Sequence, residues 1–221
     1  MYSETTQNHV IMWTVKPLLM PVLLVLFLLN AHNNLSLERR CLMIALIFSW
    51  FGDLLLMLHR NDLFVFGLAS FLIAHITYVI SFIVRLQHEG NALRQRLTMS
   101  TMLITSIPFL AYITLMLYIL SPRLNTNLEE TKGLLIPVVF YITIIVGMAY
   151  TSYLRNRKAS GFWSVFAGAV FFVMSDTILA FNRFVTPLPT PGLFIMFTYG
   201  VGQYLITIGT LQVADKDLKI A

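Results

Sequence analysis

Apolar stretches without a single charged residue run from Pro17 to Leu37, Leu97 to Pro122, Gly133 to Leu154 and Phe184 to Ala214. Each reaches the roughly 20 residues that cross the hydrocarbon core of a bilayer. Backbone N–H and C=O groups have no water to bond in lipid, so such segments satisfy them internally as helices. Polar punctuation divides the chain into seven predicted spans, at 10–30, 41–59, 62–84, 97–120, 133–154, 161–182 and 190–212. The connections are short. The fold class expected is all-α, a polytopic transmembrane helical bundle in which residues 1–221 form a single integral-membrane domain.

Composition agrees with this pattern: 57% of the 221 residues are hydrophobic and only 11% are charged, against about 25% charged in an ordinary soluble domain. The opening "MYSETTQNHV" lacks the basic start and small-residue cleavage site of a secretory signal, so it is expected to be retained. One cysteine, Cys41, excludes an internal disulfide and any CxxC motif.

The net charge of +5 gives no reason to expect nucleic acid as a partner, because the basic residues fall between spans. One side of the seven-span layout carries Arg39, Arg40, Arg85, Arg94, Arg96, Arg155, Arg157, Lys158, Lys216 and Lys219; the other carries Lys16, Arg60, Arg123, Lys132 and Arg183. The excess of Lys and Arg predicts a cytoplasmic C-terminus and an outward N-terminus in a cell (inner) membrane of bacterial type. The plain reading of these charges is that they set topology and touch anionic head groups.

Among ten acidic residues only two fall within spans: Asp53 in "FGDLLLM" and Asp176 in "MSDTILA". Each follows a small residue and precedes an apolar run. A charged side chain at the centre of a spanning helix costs about 2.5–3.5 kcal/mol on insertion scales, which is why acids there usually have a function. Both spans run outward and end a few residues later, so the carboxylates share a depth and can face each other. Other polar groups gather in the same half of the layout. In "FGLASFLIAHITY" the residues Gly67, Phe71, His75 and Tyr78 fall on one helical face. Tyr199 and Gln203 are also one turn apart. Taken singly, His75 reads as a hydrogen-bonded core residue, Tyr199 and Gln203 as links between helices, and Lys16 as a snorkelling anchor.

The ordered set "KP" at 16–17, "GDLLL" at 52–56, "GLASFLIAHITY" at 67–78, "SDTILA" at 175–180 and "YGVGQYLI" at 199–206 resembles the YhhN family of membrane proteins, which includes the lysoplasmalogenases. The resemblance implies an enzyme that hydrolyses the vinyl ether bond of lysoplasmalogens, giving a fatty aldehyde and glycerophosphoethanolamine or glycerophosphocholine. The partners it implies are a lysophospholipid substrate and membrane lipids; it implies no cofactor. Residue by residue, the family's polar positions fall on Lys16, Asp53, His75, Tyr78, Asp176, Tyr199 and Gln203. Members usually have eight spans, one of them ahead of the lysine. Here fifteen residues precede Lys16, so the expectation is that this helix is absent or reduced to a short polar arm.

Vinyl ether hydrolysis begins with proton transfer to the β-carbon and passes through an oxocarbenium-like cation that water captures. It requires an acid and a base, as glycosidases supply with two carboxylates held in different charge states. Asp53 and Asp176 are expected to form such a pair, without a choice of which is the acid. His75 can share the proton relay, Tyr78, Tyr199 and Gln203 can orient water or glycerol hydroxyl, and Lys16 can meet the phosphate. Two other classes compete: a proton-coupled transporter or lipid-binding protein built on the same acids, and a bundle in which the aspartates only link helices. A three-histidine zinc site is excluded by counting, since His9, His32, His59 and His88 lie in tails or loops, and no GxSxG occurs.

Overall fold

The structure, a computed structural model, describes residues 2–30, 36–58, 61–88, 97–124 and 133–217. Among them the chain forms seven helices and no strand: α1 (Tyr2–Asn30), α2 (Leu37–Met57), α3 (Asn61–His88), α4 (Met99–Leu124), α5 (Leu135–Leu154), α6 (Phe162–Ala180) and α7 (Pro191–Asp217). Residues Phe181–Val185 extend α6 by one π turn. Helices α2 to α7 are each long and apolar enough to cross a membrane; in α1 the apolar part described is Lys16–Asn30. The residues ahead of Lys16 continue α1 without a break. Large apolar side chains such as Leu18, Ile73, Leu103, Ile136 and Leu193 are exposed around the bundle. Soluble monomers do not display apolar surface on this scale. This is a multi-pass membrane protein.

Two helix pairs pack closely because glycines let them. A Cβ on Gly52 of α2 would lie 2.6 Å from the Phe71 ring of α3. In the second pair the contact is backbone on backbone: a Cβ on Gly168 of α6 would lie 2.7 Å from the Gly202 carbonyl oxygen of α7, and one on Gly161 2.0 Å from that of Gly209. Gly161 also adopts φ +77°, open only to glycine without strain, at the start of α6. Small residues that let backbones approach are the usual basis of helix association in lipid, where apolar burial alone drives nothing. Hydroxyls bind the same pairs: Ser70 donates to the Phe48 carbonyl at 2.8 Å, and Ser175 to that of Ile195 at 3.2 Å.

The remaining helices close around these pairs. α5 lies against α3, α4 and α6, and α1 against α2 and α7. α4 is the least buried of the spanning helices. The predicted face of α3 is inward: Gly67, Phe71, His75 and Tyr78 are all buried.

The placement of charges departs from the sequence reading. α2 begins at Leu37, so Glu38 and Arg39 are helical and buried rather than in a solvated loop. The Glu38 carboxylate meets Arg85 at 4.0 Å, and Arg155 is buried with its guanidinium 5.7 Å from the Phe82 ring. These charges are part of the packing at that end of the bundle, because α2 and α3 extend beyond their apolar cores. Arg60, Arg94, Arg96, Lys132 and Lys219, like His32 and His59, lie outside the described residues.

The α6–α7 contact predicts that Gly168→Leu lowers stability by about 1–3 kcal/mol, the usual cost of overpacking. Gly147, whose Cβ would meet nothing within 4 Å, should accept Ala without effect. Thermal unfolding in detergent measures both, and an unchanged midpoint for Gly168→Leu would contradict the backbone contact.

Candidate active site

The first step in building the site is a missing donor. Pro21, inside α1, has no N–H to give the Pro17 carbonyl one turn earlier. The indole of Trp50 on α2 supplies that bond at 2.8 Å. This docks α1 on α2 beside the end of α1's described apolar stretch, where Lys16 sits. The Lys16 ammonium then lies 3.6 Å from Asp53 Oδ1, with the carboxylate only 2% exposed.

Asp53 has a second partner, the Tyr199 hydroxyl of α7, which donates to Oδ2 at 2.8 Å. A hydrogen bond to a charged group contributes about 1.5–3 kcal/mol, comparable to the cost of placing a carboxylate at mid-membrane depth. The ion pair adds to it. One turn before Asp53 on the same face, Ser49 accepts from Gln203 Nε2 at 3.0 Å. The amide oxygen of Gln203 in turn accepts from the buried Tyr78 hydroxyl. Lys16, Ser49, Asp53, Tyr78, Tyr199 and Gln203 thus line up across α1, α2, α3 and α7.

Asp176 lies in a second cluster. The Tyr141 hydroxyl of α5 donates to its Oδ2. His75 of α3 approaches both, with Nε2 3.1 Å from the Tyr141 oxygen and 3.4 Å from the same carboxylate oxygen. Because the tyrosine proton is directed to Asp176, its oxygen is the acceptor and His75 Nε2 carries the donated hydrogen. The tautomer follows from this network. It leaves Nδ1 as a buried acceptor with no hydrogen-bond partner among the described residues.

No hydrogen bond or ion pair joins the two carboxylates. Between their clusters stands the Phe172 ring, its centroid 4.6 Å from that of His75 and 5.3 Å from that of Tyr199. The clusters also differ in access: the Asp176 side chain is 13% exposed. It lines a partly open cavity with Tyr141, Tyr112, Thr177, Arg183 and Phe64 among its walls. Tyr112 and Thr177 bring their hydroxyls to 2.5 Å of each other. Apart from these polar groups the lining is apolar, from Leu68, Met116, Ile142, Ile145 and Val173. Among the described residues no three His, Cys, Asp or Glu side chains come together as metal ligands do.

The model of the YhhN family matches residues 11–210. The chain belongs to the YhhN family. Its relatives in that family include human lysoplasmalogenase TMEM86A, 28% identical over 174 residues, or 76% of this chain and 64% of the relative. Human lysoplasmalogenase TMEM86B is 31% identical over 76% of this chain and 62% of its own length. A lysoplasmalogenase of Mycobacterium bovis is 28% identical over 78% of this chain and 60% of its own. The chain therefore spans less than two thirds of the length of the curated relatives it matches. No solved structure matches it.

All seven residues singled out in the sequence of this YhhN protein lie in the two clusters. Lys16 is there as the ion-pair partner of Asp53, and it does not line the cavity. Ser49, Tyr112, Tyr141, Phe172 and Thr177 escaped notice. For Ser49 a signal existed in its four-residue spacing to Asp53, and for Tyr141 in the single phenol of the apolar run "PVVFYITII".

The Lys16–Asp53 contact predicts that Lys16→Met destabilises the bundle by roughly 3 kcal/mol, the lower range for removing one partner of a buried ion pair. Adding Asp53→Asn should restore most of that loss, since no unpaired charge then remains. Unfolding of the two variants in detergent provides the check, and a double variant no more stable than Lys16→Met would contradict the pairing.

Proposed function

We propose that this protein is a membrane hydrolase of lysoplasmalogens, which it cleaves at the vinyl ether bond. The observation that carries the proposal is the asymmetry of the two carboxylates within the bundle: Asp53 is enclosed with Lys16 and Tyr199, whereas Asp176 opens with Tyr141 onto an apolar cavity. The name lysoplasmalogenase borne by several relatives supports the same substrate.

In this mechanism Asp176 is the acid. Its proton passes to the β-carbon of the vinyl ether, the double bond's electrons form the new C–H bond, and the α-carbon becomes an oxocarbenium ion. Water adds to that carbon and gives up a proton to the ionised Asp176, while His75, donating from Nε2, keeps the Tyr141 hydroxyl aimed at the carboxylate. The hemiacetal then transfers its hydroxyl proton to the ether oxygen and breaks the C–O bond. Fatty aldehyde and glycerophospho-alcohol leave, and one water is consumed. Asp53, held as the carboxylate by Lys16, stabilises the developing positive charge from behind the Phe172 ring, as fixed charges do in a site that excludes water. Gln203, Tyr78 and Ser49 hold Tyr199 and Asp53 in register. The excess of basic residues on one side of the layout supports a C-terminus in the cytoplasm.

Purified protein incubated with a 1-alkenyl lysophosphatidylethanolamine should yield the fatty aldehyde and glycerophosphoethanolamine by mass spectrometry. Substrate recovered intact would favour carriage over hydrolysis. Asp176→Asn should lower turnover at least about 10²-fold, the scale of a general acid–base group, and Asp53→Asn at least about 10²-fold, the scale of losing one fixed electrostatic stabiliser, both while remaining folded. Either variant retaining more than about a tenth of the rate would remove that aspartate from the mechanism.

A further inference from the structure

We infer that Arg183 is the residue that binds the phosphate of a lysophospholipid in the cavity; the inference rests on the substrate class proposed above. Among the cavity-lining residues Arg183 is the one cation. Lys16, the other basic residue that could meet a phosphate, does not line the cavity.

Arg183 lies seven residues after Asp176, about two helical turns or roughly 10 Å along the axis. That separation suits the reach from the vinyl ether to the phosphorus of a glycerophospholipid. With the phosphate at Arg183, the reacting bond stands at the level of Asp176 and Tyr141. The chain then continues along Leu68, Met116 and Ile145, the apolar walls.

The side chain is suited to this position. Arg183 contributes to the cavity wall and is exposed, the behaviour of a long basic side chain whose stem lies on apolar surface and whose head reaches the polar boundary. Its guanidinium carbon stands 5.0 Å from the Phe64 ring centroid, and that ring is held edge-on by Phe184. Arg183 sits within the π turn Phe181–Val185, a feature frequent at functional sites. The turn is braced by the Asn182 side chain, which accepts from the Leu188 N–H at 3.0 Å. A planar guanidinium held in this way can bind phosphate through two parallel hydrogen bonds.

The test is equilibrium binding to the purified full chain, with 1-acyl lysophosphatidylcholine and a monoacylglycerol of the same chain length as probes. Neither probe has a vinyl ether, so the outcome is independent of whether the protein hydrolyses one. Arg183→Gln should weaken lysophosphatidylcholine binding at least tenfold and leave monoacylglycerol binding within twofold. Arg183→Lys should recover part of the loss. Inorganic phosphate at the probe's concentration should not displace the lipid. Equal weakening of both probes by both variants would mean a packing role, and unchanged lysophosphatidylcholine binding in Arg183→Gln would place the phosphate elsewhere. Displacement by inorganic phosphate would mean a free-anion site; each of these results overturns the inference.

Discussion

A carboxylate inside an apolar bundle has to be met by donors from other helices, and in this protein that requirement organises the interior. Asp53 on α2 draws Lys16 from α1 and Tyr199 from α7 into one contact. The insertion cost of one ionised group, about 2.5–3.5 kcal/mol, is thereby offset by bonds that also fix how three helices stand relative to one another. Trp50 contributes by taking the carbonyl that Pro21 leaves unpaired, so a defect in α1 becomes the joint that carries Lys16 to its partner.

The two closely packed helix pairs serve each other. In α2–α3 and in α6–α7 the first helix bears an aspartate, and the second bears a residue that contacts the aspartate of the other pair. Tyr199 of α7 reaches Asp53 of α2, and His75 of α3 reaches Asp176 of α6. Glycine contacts within each pair keep the backbones close enough for these crossings. What separates the two acids functionally is the surrounding packing. Asp53 is closed in, while Asp176 faces a cavity walled partly by α4, the least buried spanning helix.

Much of this was legible in the sequence, for identifiable reasons. Long charge-free runs can only be helices in lipid, so the bundle and most of its spans followed from hydropathy, with errors of a few residues at the ends. An acid within such a run is so rare that Asp53 and Asp176 stood out unaided. The partners were harder to see. Tyr141 and Phe172 carry no charge, and aromatic residues are common in any spanning helix, so only their position between clusters distinguishes them. Glu38, Arg39 and Arg155 read as loop charges because hydropathy marks where the hydrocarbon ends, not where the helix does. That the two aspartates meet separate partners, rather than each other, depends on helix rotation about the Phe172 ring, which spacing along one chain does not encode.

Turnover of a lysoplasmalogen in heavy water reports whether carbon is protonated, as proposed for Asp176. Protonation of the vinyl β-carbon predicts slower turnover and one deuterium on the α-carbon of the released aldehyde, with the ester-linked analogue left uncleaved. Aldehyde free of deuterium, or fatty acid released from the ester analogue at a comparable rate, would contradict the account.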